Sequence, residues 1–94
     1  MGRFTVRVEL HHAQAGDYEQ LHEEMANEGF TRTITGRDGV ELHLPTAEYN
    51  YVGTIDDRQV ILSRAVRAAS SVRESFEVLV TESAGRTWHN LTAV

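Results

Sequence analysis

Ninety-four residues fit a single domain, and a chain of this size buries roughly 60–65% of its unfolded surface in one modest core. The net charge is −5, from fourteen acids against nine arginines and no lysine, a balance that argues against indiscriminate nucleic-acid binding, whose affinity comes from neutralised phosphates. No cysteine is present, so disulfides and thiolate zinc sites are excluded; no run approaches the roughly 18 apolar residues of a membrane span, and MGRFTVRVEL lacks the apolar core of a signal peptide, so a soluble cytoplasmic protein is expected.

Phe4, Val6, Val8 and Leu10 alternate with Thr5, Arg7 and Glu9, the period of a half-buried strand. The residues AGD then stop it, and Asp17 is the expected N-cap of the next segment. Tyr18, Leu21, His22 and Met25 fall on one helical stripe over about 17–28, with Glu19, Glu23, Glu24 and Asn27 opposite. Gly29 is placed to end that helix in a left-handed conformation, with Phe30 folding back as the apolar contact.

A second strand is expected over about 31–36, turned by GRDG. Val40, Leu42 and Leu44 alternate, but Pro45 cannot donate to a ladder, so about 37–47 reads as an edge arm. EYNYVGT resumes strand character. Thr54 and Asp57 have the spacing of a capping box, which starts a second helix near Asp56 and carries it to about 71. Ile61, Leu62, Ala65, Ala68, Ala69 and Val72 form its apolar stripe, while Arg64 and Arg67 point away. FEVLVTE is the last strand, and the tail 84–94 is expected to pair or to dock through Trp88 and Leu91.

The order β-α-β-(arm)-β-α-β predicts an α+β, ferredoxin-like two-layer sandwich: one domain over 1–94, an antiparallel sheet, and both helices on one face. Charge is polarised along it. Asp17–Glu28 carries five acids and no base, whereas Arg58–Arg73 carries four arginines and no acid.

A helix ending in EGF, a strand, a D-G turn, a short apolar piece ending in proline and a Y-x-Y-x-G strand follow one another in TITGRDGVELHLPTAEYNYVG and the residues before it. In element order and length this resembles the GhoS-type antitoxin family of type V toxin–antitoxin systems, over roughly Phe4 to Trp88. The resemblance implies a ferredoxin-like fold similar to that of small CRISPR-associated nucleases. It also implies endoribonuclease activity on a messenger RNA that encodes a membrane-damaging toxin. In those nucleases an acidic residue near the end of the first strand accompanies metal-dependent cleavage. Here the corresponding run is Glu9-Leu10-His11-His12, without aspartate.

Cutting RNA needs activation of a 2′-hydroxyl or a water, protonation of the leaving oxygen, and a cation for the phosphorane charge. Histidine can act as base and acid near neutral pH, and arginine can hold phosphate charge. His11 and His12, at the end of the first strand, are therefore the candidates for proton transfer, with Arg32 and Arg86 for the phosphates. Arg7 and the strand residues Tyr49 and Tyr51 are the candidate RNA-binding groups, since aromatics on central strands stack splayed bases; tyrosines in strands also serve as packing residues, and Val52 on the opposite parity leaves the face open. His22 reads as a core-edge residue and His43 as exposed, and His89 lies in the tail. No metal-ligand motif and no phosphate loop is present, so no metal and no cofactor are expected. The partners expected are a toxin messenger RNA and a second copy of the chain, with no membrane. A non-catalytic ferredoxin-like module, binding through its sheet face or a dimer interface, is the alternative.

Overall fold

The computed structural model describes all 94 residues. Its elements are β1 (Gly2–Leu10), α1 (Asp17–Asn27), β2 (Thr33–Thr35), β3 (Glu41–His43), β4 (Glu48–Gly53), α2 (Arg58–Ser70) and β5 (Phe76–Glu82). The alternation in β1 is realised: Phe4, Val6, Val8 and Leu10 are buried, while Arg3, Arg7 and Glu9 are exposed. β1 is the middle strand of an antiparallel sheet ordered β4-β1-β5. Its register with β4 runs from Gly2↔Gly53 to Arg7↔Glu48, and with β5 from Phe4↔Glu82 to Leu10↔Phe76.

The strand expected over 31–36 is split. Thr31 alone pairs with Asn50 on the outer edge of β4, through reciprocal backbone bonds of 2.9 and 2.8 Å. At Arg32 the chain changes partner: the Arg32 carbonyl accepts from Leu44 N at 2.7 Å, and β2 pairs with β3 as a separate hairpin. The R-D-G turn closes it, with Gly39 at φ 80° and Asp38 Oδ1 accepting from Val40 N at 3.1 Å. The expected arm thus forms the returning strand of this hairpin.

α1 ends as its sequence requires. Gly29 sits at φ 95°, its N–H bonds to Ala26 O and that of Phe30 to Met25 O, and Phe30 folds into the core. Its start differs from expectation. Gly16, at φ 86°, is the N-cap, and Asp17 opens the first turn with its carboxylate accepting from Gln14 N at 2.8 Å. α2 also starts later than the Thr54–Asp57 box predicts: the cap is Asp57, whose side chain accepts from Gln59 N at 2.8 Å, so the helix begins at Arg58.

Leu21 and Met25 of α1 and Ile61, Ala65, Ala68 and Ala69 of α2 join the four apolar residues of β1 in one buried cluster. Both helices therefore cover the side of β1 that carries its even-numbered residues. The polarised charges meet between the helices. Arg67 grips both Glu28 oxygens at 2.8 and 3.1 Å, Arg64 donates to Glu28 O at 3.2 Å, and Arg73 pairs with Asp17 at 3.7 Å. Arg64 and Arg67, expected to point freely away, instead cap and clamp the end of α1. No helix is long and apolar enough to cross a membrane.

The tail continues from β5 across the uncovered side of the sheet. Ser83 N bonds to Arg3 O at 2.8 Å, and farther on Ala93 bridges to Leu42 of the hairpin. His43 N bonds to Thr92 O at 2.9 Å and Val94 N to Glu41 O at 3.0 Å, so the tail both pairs and docks.

Candidate nucleic-acid interface on the open sheet face

The odd-numbered residues of β1 point to the face that no helix covers. Arg3, Thr5, Arg7 and Glu9 lie there, opposite Val52, Asn50 and Glu48 of β4 and Thr81, Leu79 and Glu77 of β5. The tail crosses one half of this face and is pinned by Arg86. The Arg86 guanidinium donates to Asn50 Oδ1 at 2.6 Å, to Thr5 Oγ1 at 2.9 Å and to Phe4 O at 3.4 Å. All three acceptors are neutral, so the charge is held in place without being cancelled. Burial, and then the neighbouring charge of Arg3, lower its proton affinity, but a guanidinium remains protonated in proteins.

Tail and hairpin enclose a groove of about 730 Å³ lined by Arg3, Ile34, Arg37, Asp38, Arg86 and Trp88, among others. Arg3, Arg37 and Arg86 form no salt bridge, in contrast to Arg58, Arg67 and Arg73. Trp88 is 44% exposed. Three uncompensated cations beside a partly free indole can hold a polyanion that also carries aromatic rings.

At the other end of the face, His11 is fixed on both nitrogens. Nδ1 shares a hydrogen bond with Ser75 Oγ, and Nε2 with Glu77 Oε1, each at 2.8 Å. This carboxylate–imidazole–hydroxyl chain is the arrangement that orients a histidine for proton transfer. His12 sits at φ 56° in the turn after β1, exposed, and lines the same hollow as His11, Arg73 and Ser75. Arg7 lies on the same face two alternate positions before His11, beside Glu9, Glu77 and Leu79.

The residues expected to work together are not brought together. Arg86 lies over Thr5, six positions before His11, which at ~3.3 Å per residue is roughly 20 Å along the strand. Arg32 is not on the open face. It stands near His22 and Tyr49, close enough for its charge to act on both, and its Nε is buried without a partner. Tyr49 and Tyr51 are corrected as base-stacking residues: they are 0% and 8% exposed, in the core beneath α1 and α2. The register explains this, since Tyr49 lies opposite Val6 and Tyr51 opposite Phe4, both inward-facing. Their hydroxyls serve the fold, Tyr49 Oη meeting His22 Nδ1 at 2.6 Å and Tyr51 Oη accepting from Ile55 N at 3.1 Å.

Sequence reasoning missed Arg3, Arg37 and Asp38 of the groove, and Ser75 and Glu77 beside His11. Strand parity already placed Arg3 with Arg7, and FEVLVTE placed Glu77 on the parity opposite Phe76, Val78 and Val80; the groove had no sequence signal. No three His, Asp or Glu side chains converge as a metal ion would need. No protein-family model, no curated protein and no solved structure matches this chain.

Proposed function

We propose that the chain is a ferredoxin-like RNA-binding protein and, as its resemblance to GhoS-type antitoxins implies, an endoribonuclease that cuts a toxin messenger RNA. The observation that carries the reading is the open sheet face, where Arg3, Arg37 and Arg86 lack acidic partners beside the exposed Trp88. Single-stranded nucleic acid is held by this combination of cations that follow the backbone and aromatic rings that stack bases. The ferredoxin-like description is supported by the strand order, because Thr31 on the edge of β4 supplies the vestige of a fourth strand beside β4-β1-β5.

An RNA strand along β1 runs from the groove past Arg7 to His11. There a 2′-hydroxyl takes the place of Ser75 Oγ at Nδ1 and gives up its proton, while Glu77 holds the Nε2 proton and stabilises the imidazolium. His12 is the second imidazole at this end and protonates the leaving oxygen. Arg7 is the arginine of this face nearest to the phosphorane; Arg32 has no part in it. The reading includes a homodimer through β5, an edge strand of the sheet whose Leu79 is 63% exposed.

A non-catalytic binding module is the second reading, favoured by the roughly 20 Å between the arginine groove and His11, again taken at ~3.3 Å per residue. Incubating purified protein with a toxin transcript from its own genome, with and without EDTA, separates the two. Cleavage that falls about 10²-fold or more in a folded His11→Ala/His12→Ala variant supports catalysis. Retention of the transcript without cleavage supports the binding module, and full activity in the double variant removes the histidines from the mechanism.

A further inference from the structure

The turn Gly36-Arg37-Asp38-Gly39 does more than reverse the hairpin, because it places a carboxylate in an otherwise cationic groove. Asp38 is the single acid among the lining residues. Its Oδ1 accepts from Val40 N at 3.1 Å, which fixes the carboxylate, and it makes no salt bridge with Arg3, Arg37 or Arg86. Gly36 leaves a notch between this carboxylate and the indole: a Cβ built there would lie 3.0 Å from Asp38 Oδ1 and 3.4 Å from Trp88 Cζ2. Carboxylate and indole therefore border the same spot.

We propose that this groove is a site for one guanosine phosphate unit, with the base on Trp88, its Watson–Crick edge on Asp38, and the phosphate among Arg3, Arg37 and Arg86. The inference rests on the reading above that the open face holds single-stranded RNA. The volume of about 730 Å³ is in the range of small-molecule sites, roughly 300–1,000 Å³. Arg86 is oriented by Thr5 and Asn50 before any ligand arrives, so little ordering is needed to meet an anion. Arg3 and Arg86 are near enough to repel each other, and a phosphate between them relieves that repulsion. Fork-shaped guanidiniums suit its oxygens.

Asp38 decides the base. An ionised carboxylate only accepts hydrogen bonds and repels phosphate, so in this groove it faces the other part of the ligand. Guanine presents two adjacent donors, N1–H and the N2 amino group, on its Watson–Crick edge. Adenine and cytosine each offer a donor beside a ring acceptor, and uracil offers one donor between two carbonyls. Guanine alone meets a carboxylate without an opposed lone pair.

Trp88 is the only tryptophan, so fluorescence reports on the surroundings of this one indole, and the Asp38 and Arg37 variants assign a change to this groove. The intact protein is titrated at low salt with GMP, AMP, CMP and UMP, and separately with a fluorescein-labelled single-stranded RNA containing guanosines, read by anisotropy. GMP is expected to quench saturably and at least about 10-fold more tightly than the other three, the range of one good bidentate base contact. Asp38→Asn, which can keep the turn bond to Val40, should bring GMP to the level of AMP. Arg37→Ala should weaken all four nucleotides alike. Equal quenching by all four, or a guanine preference that survives Asp38→Asn, overturns the assignment. RNA binding without any nucleotide quenching also overturns it and leaves the RNA reading intact. GMP quenching without RNA binding keeps the site and removes the RNA reading; absence of both removes both.

Discussion

Replacing Tyr49 by phenylalanine deletes one oxygen from a fully buried ring and leaves its packing unchanged. The deleted hydroxyl has one partner, His22 Nδ1, at 2.6 Å. A net hydrogen bond is worth ~0.5–1.5 kcal/mol, and the stranded imidazole nitrogen adds part of a ~1–3 kcal/mol desolvation penalty. His22 is only partly buried, so water recovers some of the second term, and the expected loss is about 1–2 kcal/mol. With m near ~1 kcal/mol/M in urea, the denaturation midpoint should fall by about 1–2 M with m unchanged. The stability of the wild type should also depend on pH through His22. Burial first, and the charge of Arg32 second, hold His22 below its ordinary value of 6.5, with Glu19 opposing them. The native state thus binds fewer protons than the unfolded chain, so the contribution of neutral His22 is complete above 6.5 and is lost as pH falls through the depressed native value. His22→Gln should remove this pH dependence, whereas Tyr49→Phe lowers stability through the lost hydroxyl. Urea titrations of the three proteins, from about pH 8 to acid pH, measure both effects. A loss under about 0.5 kcal/mol for Tyr49→Phe, the scale of neutral surface changes, or an unchanged pH dependence in His22→Gln would refute the reasoning.

Gly53→Ala would drive its new methyl into the Tyr51 hydroxyl and should destabilise by ~1–3 kcal/mol, as overpacking does. In a Tyr51→Phe background the same change should cost less, and thermal or urea denaturation of the four proteins of this cycle checks it. In the proposed β5-to-β5 dimer Leu79→Arg places two like charges together and should leave only monomer by light scattering, while the wild type is expected to be a dimer at high micromolar concentration. A wild type that is monomeric there removes the dimer.

Strand parity and helical stripes carried most of the fold because β1, α1 and α2 each have one apolar side and one polar side. Gly29 followed by Phe30 marked a helix end that the structure builds as expected, whereas the start of α2 was misplaced: the expected capping box makes Thr54 the cap with Asp57 as its partner, and the structure caps the helix with Asp57 itself. EYNYVGT was not legible in the same way. Its apolar residues occupy both parities, so only the pairing of Tyr49 with Val6 and Tyr51 with Phe4 decides which face is inward. Arg32 looked like a strand residue, yet it is the point at which the chain leaves β4 for β3. The acidic and basic stretches are separate along the sequence, but α1 and α2 lie side by side and their charges pair. The arginine groove could not be read at all, because residues 3, 34–38 and 83–88 converge only after the tail has crossed the sheet.

That crossing has a kinetic consequence. The strand at the centre of the sheet precedes both of its neighbours in the chain, and Arg86 meets Thr5 across 81 residues. Contacts so distant in sequence form late, since their loop must close before they contribute. On the ribosome one edge of β1 therefore keeps its backbone groups unpaired until β5 emerges, an interval in which it is open to pairing with other nascent chains. The tail can lie across the sheet only after that. Binding of the proposed nucleotide in the groove, read by Trp88, should lag behind the gain of helix during refolding, which would make it a measure of how much of the protein in a preparation has finished folding.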